Sequence, residues 1–375
     1  LKFIPEYAGP ATPEITGRIE AFLAGGDLGT LAPTSPAPSG SGAPGAPQRL
    51  PGQPAPVAAF DPKPAYLTHL RTLVDLAAIR RAGLKVLYDP MFGTGRRYLS
   101  DLLEEAGCHL TVIHGQRDPL FGGETPEPIE AHLGELMARV KAGEADLGLA
   151  TDGDADRFGI IDADGTYLSA NQIIPLLFWH LVRKGAPGGV ARTVATTHLL
   201  DRLAARFGRP VKETPVGFKY ICQAMREGPI VIGGEESGGL SIGGHIPEKD
   251  GVLACLLVAE LRAVAGRPLK ELLAEVMREA GPAYSRRIDL RYPDGEKRAI
   301  MQGLAEATPA EVGGVPVAAV NRMDGVKVVL ADGSWVLVRA SGTEPLLRVY
   351  VEAGSPEALE QRIEDARAML GSYLR

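Results

Sequence analysis

Between residues 66 and 82 the apolar positions Leu67, Leu70, Leu73, Val74, Leu76, Ala77 and Ile79 recur at helical spacing, which predicts one amphipathic helix. A different rhythm follows. Short apolar runs read as buried strands at 85–89, 109–113 and 146–150, with helices over 98–106 and 129–141 between them. The alternation then repeats, with strands at 191–196 and 230–232 and helices over 171–184, 199–207, 219–226 and 251–264. Strands alternating with helices predict a mostly parallel sheet covered on both faces. The two α/β units match in organisation but not in sequence.

From about residue 282 the pattern changes to a small α+β unit. It has a strand at 286–291, a helix at 297–305, a hairpin of 326–330 and 335–339 over Asp332-Gly333, a strand at 346–352 and a helix at 356–370. Near the other end a helix is expected over 12–23, where Pro13 suits a first turn and Gly25-Gly26 a stop. Residues 31–64 are rich in Pro, Gly and Ser and read as a linker or surface loop without a core.

Composition narrows the class. The chain has 375 residues, enough for two to four domains. Its 45% hydrophobic and 23% charged residues are ordinary for a soluble globular protein. A net charge of −6 with no basic tract argues against a nucleic-acid partner. No apolar run approaches membrane-spanning length and no signal peptide is visible, so no membrane partner is expected. Cys108, Cys222 and Cys255 are scattered, which predicts reduced thiols and a cytoplasmic protein. The chain opens on Leu-Lys-Phe-Ile, like the middle of a strand, so an upstream segment or a cut is expected.

Three loops carry candidate chemistry. The first is Asp152-Gly-Asp154-Ala-Asp156-Arg157, set between the apolar runs 145–151 and 158–161. Hard carboxylate ligands at this density suit Mg²⁺. A solvated acidic turn is the bland alternative. A calcium loop of the EF-hand type is excluded, because Arg157 and Ala163 stand where that loop needs Gly and Glu. The second loop is Gly233-Gly-Glu235-Glu236-Ser237-Gly-Gly239, after another strand; its acceptors suit sugar hydroxyls, against the plainer reading of a capped glycine turn. The third is Arg339-Ala-Ser341-Gly342-Thr343-Glu344-Pro345 with Arg348, whose N–H groups, hydroxyls and forked guanidiniums suit a phosphate. Gly217 and Lys219 follow a tight turn, and Lys249 lies at the mouth of a helix. Either lysine fits a plain surface charge equally well, and His245 alone favours a structural role.

Together these three ordered loops resemble the α-D-phosphohexomutase superfamily, over nearly the whole chain apart from the Pro-rich insert, and most closely its bacterial phosphoglucomutases. The resemblance implies three-layer α/β domains plus a C-terminal α+β phosphate-binding domain around a central cleft. It divides the chain into 1–82, the end of a first domain carrying the 31–64 insert; 83–187, metal-binding; 188–281, sugar-binding; and 282–375, phosphate-binding. It implies Asp152, Asp154 and Asp156 as Mg²⁺ ligands, Arg157 beside the transferring phosphate, and Glu235 and Ser237 on sugar hydroxyls. Arg339, Ser341, Gly342, Thr343 and Arg348 correspond to the grip on the nonreacting phosphate. Gly217, Lys219 and Lys249 correspond to substrate-facing positions, and Lys2 to a proton-transfer lysine.

The family's phosphoserine loop, of Ser-His-Asn-Pro type, has no counterpart here: Ser35, Ser39 and Ser41 lie in the linker. The resemblance therefore implies, for a complete enzyme, interconversion of glucose 1-phosphate and glucose 6-phosphate through phosphoserine and a glucose 1,6-bisphosphate. Mannose or dual specificity is the alternative within the family. A non-catalytic sugar-phosphate-binding fragment is the alternative outside it, and a Mg²⁺-dependent phosphatase of another fold leaves the 339–348 arginines unexplained.

Overall fold

The computed structural model describes residues 3–24, 59–341 and 344–374. Lys2, Gly342, Thr343 and most of the Pro-rich segment fall outside them. The first sheet comprises β1 (Lys85–Asp89), β2 (His109–Val112), β3 (Leu147–Thr151), β4 (Phe158–Ile161) and β5 (Tyr167–Leu168), in the order β2-β1-β3-β4-β5. Strand β1 is parallel to β2 and β3, while β4 and β5 run antiparallel. The second sheet, β6 (Gly189–Thr193), β7 (Val211–Thr214), β8 (Ile230–Gly234) and β9 (Leu240–Ile242), repeats the order as β7-β6-β8-β9. Again the last strand is antiparallel. The second sheet is thus mostly parallel, as expected, with one antiparallel edge strand, while the first is mixed; in each, the chemistry-bearing loop returns through an antiparallel strand.

The third sheet is antiparallel throughout. Its strands are β10 (Tyr284–Arg291), β11 (Glu311–Val312), β12 (Val315–Asn321), β13 (Val326–Leu330), β14 (Trp335–Ala340) and β15 (Leu346–Ala353), in the order β10-β15-β14-β13-β12-β11. One face packs on helices Asp294–Glu306 and Pro356–Ser372. The other sets Trp335, Leu337 and Tyr350 on Val194 and Ala195 of the second unit. Lys327 is buried at that junction, donating to Val194 O at 2.8 Å and lying 2.7 Å from His198 Nε2.

The first two units share one continuous core. Helix Gly251–Ala265 is buried from Gly251 to Leu261 and packs on β3, β4 and β9 as well as on helix Leu76–Ala82. Among the described residues no helix is long and apolar enough to cross a membrane, and Cys108, Cys222 and Cys255 are free thiols.

The helices differ from the sequence expectation in three places, and strands β5, β7, β9, β11 and β12 have no counterpart in it. The expected helix over 66–82 is two helices, Lys63–Leu73 and Leu76–Ala82. Asp75 breaks it: its carboxylate caps the second helix by accepting from Ala78 N, and its own N–H is drawn to Glu260 Oε2 at 2.7 Å. The expected helix over 129–141 begins with the tight turn Glu130–His132, and the α-helix spans only Gly134–Lys141. Between residues 264 and 282, where the reading has no element, Leu269, Leu272, Leu273 and Val276 bury one face of helix Leu269–Ala280.

Glu260 ties these parts together. It is fully buried and accepts from Asp75 N, His180 Nε2 (2.7 Å) and Lys184 Nζ, so three helices meet on one carboxylate. Burial alone would raise its pKa, but His180, Lys184 and the Asp75 N–H outweigh it and hold the pKa below the ordinary value. Removing a buried partner strands the others, so Glu260→Ala is expected to cost about 3 kcal/mol near neutral pH, measured by urea unfolding. A depressed folded pKa means that this contribution is complete above the unfolded value of about 4.3 and is lost as pH falls through the folded one. The gap between wild type and variant should therefore narrow in acid; a gap that is constant with pH contradicts the assignment.

Candidate functional site

Strand β1 pairs with β2 on one side and β3 on the other, so the chain leaves it in opposite directions. Such a reversal makes the carboxyl ends of β1 and β3 a topological switch point, where sheets of this kind bind ligands. The acidic loop follows β3 at this point. Asp152 is buried, and Ala155 takes a left-handed conformation (φ 64°) held by Gly251 N donating to Ala155 O at 2.9 Å. The turn brings an oxygen from each of Asp152, Asp154 and Asp156 within 4.8 Å of one another. Gly93, in the loop after β1, lies so close that a Cβ there would meet Asp152 O at 2.7 Å.

Cations surround this cluster. Arg157 donates through Nε to Asp152 Oδ2 at 2.9 Å and pairs through Nη1 with Glu127 at 2.5 Å. Lys249 Nζ lies 2.8 Å from Asp156 Oδ2. Burial, with Asp156 adding to it, pushes Asp152 up to about 6. Burial disfavours the Lys249 ammonium, but Asp156 outweighs it and raises its pKa. Three convergent carboxylates, one buried beside a like charge, form a donor set that fits a hard divalent cation.

The Glu235–Gly239 loop occupies the matching position after β8. It meets the acidic loop directly: Phe158 N donates to Gly238 O at 3.2 Å, and Arg157 bridges to Gly239. Glu235 is buried and accepts from Gly217 N at 2.9 Å; burial and then Glu236 push it up to about 7. Ser237 is exposed. Gly217 has φ 126°, open to glycine alone without strain, and starts helix Phe218–Glu227, whose first turn carries Lys219. Lys249 is fixed by its neighbour Asp250, which caps helix Gly251–Ala265 and is held by Tyr66 and by His245 Nε2 at 2.9 Å. His245 thus has the structural role that its sequence context favours.

In the third unit Arg339 and Arg348 stand directly opposite each other on β14 and β15. Like charges so paired repel. Their Nε atoms are buried without a hydrogen-bond partner among the described residues. Ser341 Oγ accepts from Glu344 N at 3.2 Å. Lys297 Nζ reaches Ser341 O at 3.3 Å and Glu344 O at 3.1 Å, pinning the loop from below. Two guanidiniums side by side at one end of these strands, each paired with only one carboxylate among the described residues (Arg339 with Asp324, Arg348 with Glu344 at 3.3 Å), fit an oxyanion.

The structure therefore joins Asp152, Asp154, Asp156, Arg157, Lys249, Glu235 and Gly217 into one connected cluster. Asp324 links Arg339 to it, accepting from Arg339 Nη2 at 2.7 Å and from Val216 N at 2.9 Å. Lys219 and Ser237 lie on the same loops without a hydrogen bond into the cluster among the described residues. Glu127, Lys297 and Asp324 are missing from the sequence reading. The prolines flanking Glu127 are a signal that could have marked it; nothing local marks the other two, whose partners within the site are more than ten residues away.

Comparison with known proteins agrees with this organisation. Residues 64–165, 169–280 and 288–369 match, respectively, α/β/α domain II, α/β/α domain III and the C-terminal domain of phosphoglucomutase/phosphomannomutase. The chain is 35% identical over 310 residues to a phosphoglucomutase/phosphomannomutase of Thermococcus kodakarensis, covering 83% of this chain and 66% of that protein. It is 34% identical over 298 residues to a protein of Methanopyrus kandleri named probable phosphoglucosamine mutase, covering 79% and 64%. The chain thus spans just under two thirds of the length of these curated relatives. A solved structure from Thermus thermophilus, named as a putative phosphomannomutase, superposes with a TM-score of 0.78 at 31% identity, covering 97% of this chain and 73% of that one. Three consecutive domain matches in the family's order, on the fold and loops described, establish that this chain belongs to the phosphoglucomutase/phosphomannomutase family of α-D-phosphohexomutases.

Proposed function

We propose that this chain forms the metal-, sugar- and phosphate-binding part of a phosphohexomutase that interconverts glucose 1-phosphate and glucose 6-phosphate. The observation that carries the reading is the contact between the acidic loop and the Glu235 loop, with paired arginines linked to the same cluster through Asp324. In the complete enzyme a phosphoserine gives its phosphoryl group to a free hydroxyl of the hexose monophosphate. That forms a hexose 1,6-bisphosphate, which turns over and returns its other phosphoryl group to the serine.

Each residue has a definite task in that scheme. Arg339, Ser341, Gly342, Thr343 and Arg348 grip the phosphate that does not react, in either orientation of the sugar. Glu235 and Ser237 hold sugar hydroxyls, with Gly217 and Lys219 completing the wall. Arg157, anchored by Asp152 and Glu127, presents its guanidinium to the transferring phosphoryl group. Lys249, charged beside Asp156, holds a proton for the hydroxyl that gains or loses it, and Lys2 is the second candidate for that task. Asp152, Asp154 and Asp156 would hold Mg²⁺, which offsets phosphoryl charge when bound. The Gly-Glu-Glu-Ser-Gly-Gly run supports glucose over mannose; a hydroxyl epimer is separated by few hydrogen bonds, so dual specificity is the competing outcome.

A second reading has its own support. No Ser-His-Asn-Pro-like loop occurs in these 375 residues, which favours a sugar-phosphate-binding fragment when this polypeptide acts alone.

Titration calorimetry separates the possibilities. Glucose 6-phosphate is expected to bind the chain in the presence of Mg²⁺, and Arg339→Ala to weaken it at least tenfold, the loss of about one charge-assisted hydrogen bond. A coupled assay primed with glucose 1,6-bisphosphate should give no turnover from this chain alone; turnover would place a nucleophile within it, and failure to bind any hexose phosphate would end both readings. Asp154→Asn is expected to lower Mg²⁺ affinity at least tenfold without moving the melting temperature of the metal-free protein. Unchanged Mg²⁺ affinity would return the acidic loop to a solvated turn.

A further inference from the structure

Asp324 lies in the turn between β12 and β13, and a single oxygen of its carboxylate serves two domains. Oδ2 accepts from Arg339 Nη2 at 2.7 Å and from the backbone N–H of Val216, in the loop after β7, at 2.9 Å. The next N–H along that loop, of Gly217, donates to Glu235 at 2.9 Å. A connected chain therefore runs from the arginine of the phosphate grip, through Asp324 and two consecutive peptide groups, to the carboxylate of the sugar loop. The turn holding Asp324 has little freedom. Gly325 has φ 89°, and a Cβ on it would meet Val338 O at 2.3 Å. Asn321 accepts from Met323 N at 2.8 Å and donates to Glu213 in the second unit at 2.7 Å.

We propose that Asp324 is a positioning residue that sets the distance between the phosphate grip and the sugar loop, so that a hexose phosphate engages both at once. The inference rests on the roles given above to Arg339 and Glu235. An inorganic phosphate ion needs only the guanidinium, wherever it points; removing a competing carboxylate does not harm it. A hexose phosphate carries two recognised groups at fixed separation, and the second contact adds affinity only when the first holds it in register. Asp324 supplies that register because it binds the side chain of one element and the backbone of the other. A free arginine would lose rotamer freedom at each binding event; here that freedom is already spent.

The test is calorimetric titration of the 375-residue chain with inorganic phosphate and, separately, with glucose 6-phosphate. Wild type is compared with Asp324→Asn, Asn321→Ala and Arg339→Ala. For Asp324→Asn, phosphate affinity should stay within about threefold while glucose 6-phosphate affinity falls about tenfold, the scale of one lost charge-assisted hydrogen bond. Asn321→Ala cuts the neighbouring interdomain bond to Glu213 and should leave the ratio of the two affinities unchanged. Equal weakening of both ligands by Asp324→Asn, or the same fall in ratio from Asn321→Ala, would reduce Asp324 to a structural turn residue. Glucose 6-phosphate binding indifferent to Arg339→Ala would instead overturn the site reading, and this inference with it.

Discussion

Helix Gly251–Ala265 is buried on every side over its first three turns, so no single sheet can cover it. It is buried only where the first and second α/β units close around it, and the site follows from that closure. Asp250 caps the helix, and the residue before it, Lys249, is thereby set 2.8 Å from Asp156 on the neighbouring unit. Gly251 N holds Ala155 in its left-handed turn. The acidic loop keeps its shape because a helix from the other unit is seated against it.

The two α/β units use one device twice. In each, the first strand is flanked by its two parallel successors, and the loop after the third strand returns antiparallel. That loop is the acidic run in one unit and the Glu235 loop in the other. Packing the units side by side brings the equivalent loops together, which is why Phe158 and Gly238 share a hydrogen bond. A composite site made from repeated folds needs no long connection to assemble it.

Charge is the site's main constraint. Asp152, Asp154 and Asp156 repel one another, as do Arg339 and Arg348, and neither group is neutralised within itself. Arg157 and Lys249 offset part of the first, and Asp324 part of the second. The remainder is complementary to a cation and to phosphate oxygens. Such an arrangement costs folding stability and is sustained by the apolar core beneath it and by buried ties such as Glu260.

Much of this was legible along the chain. Continuous apolar runs marked β1, β3 and β8, because a strand buried on both faces admits nothing else. Dense carboxylates between two such runs marked the acidic loop, and arginines around Ser341 marked an oxyanion site. The helix break at Asp75 was not legible, since it depends on Glu260, 185 residues away. Nor was Asp324, an ordinary turn aspartate until Arg339 and the Val216 backbone arrive from two other elements. The sequence by itself determined which segments are buried and which loops carry charge, because periodicity and residue chemistry are local properties. Which loops meet, and which carboxylate bears on which cation, was decided only by the tertiary structure, because a hydrogen bond depends on distances that no local pattern encodes.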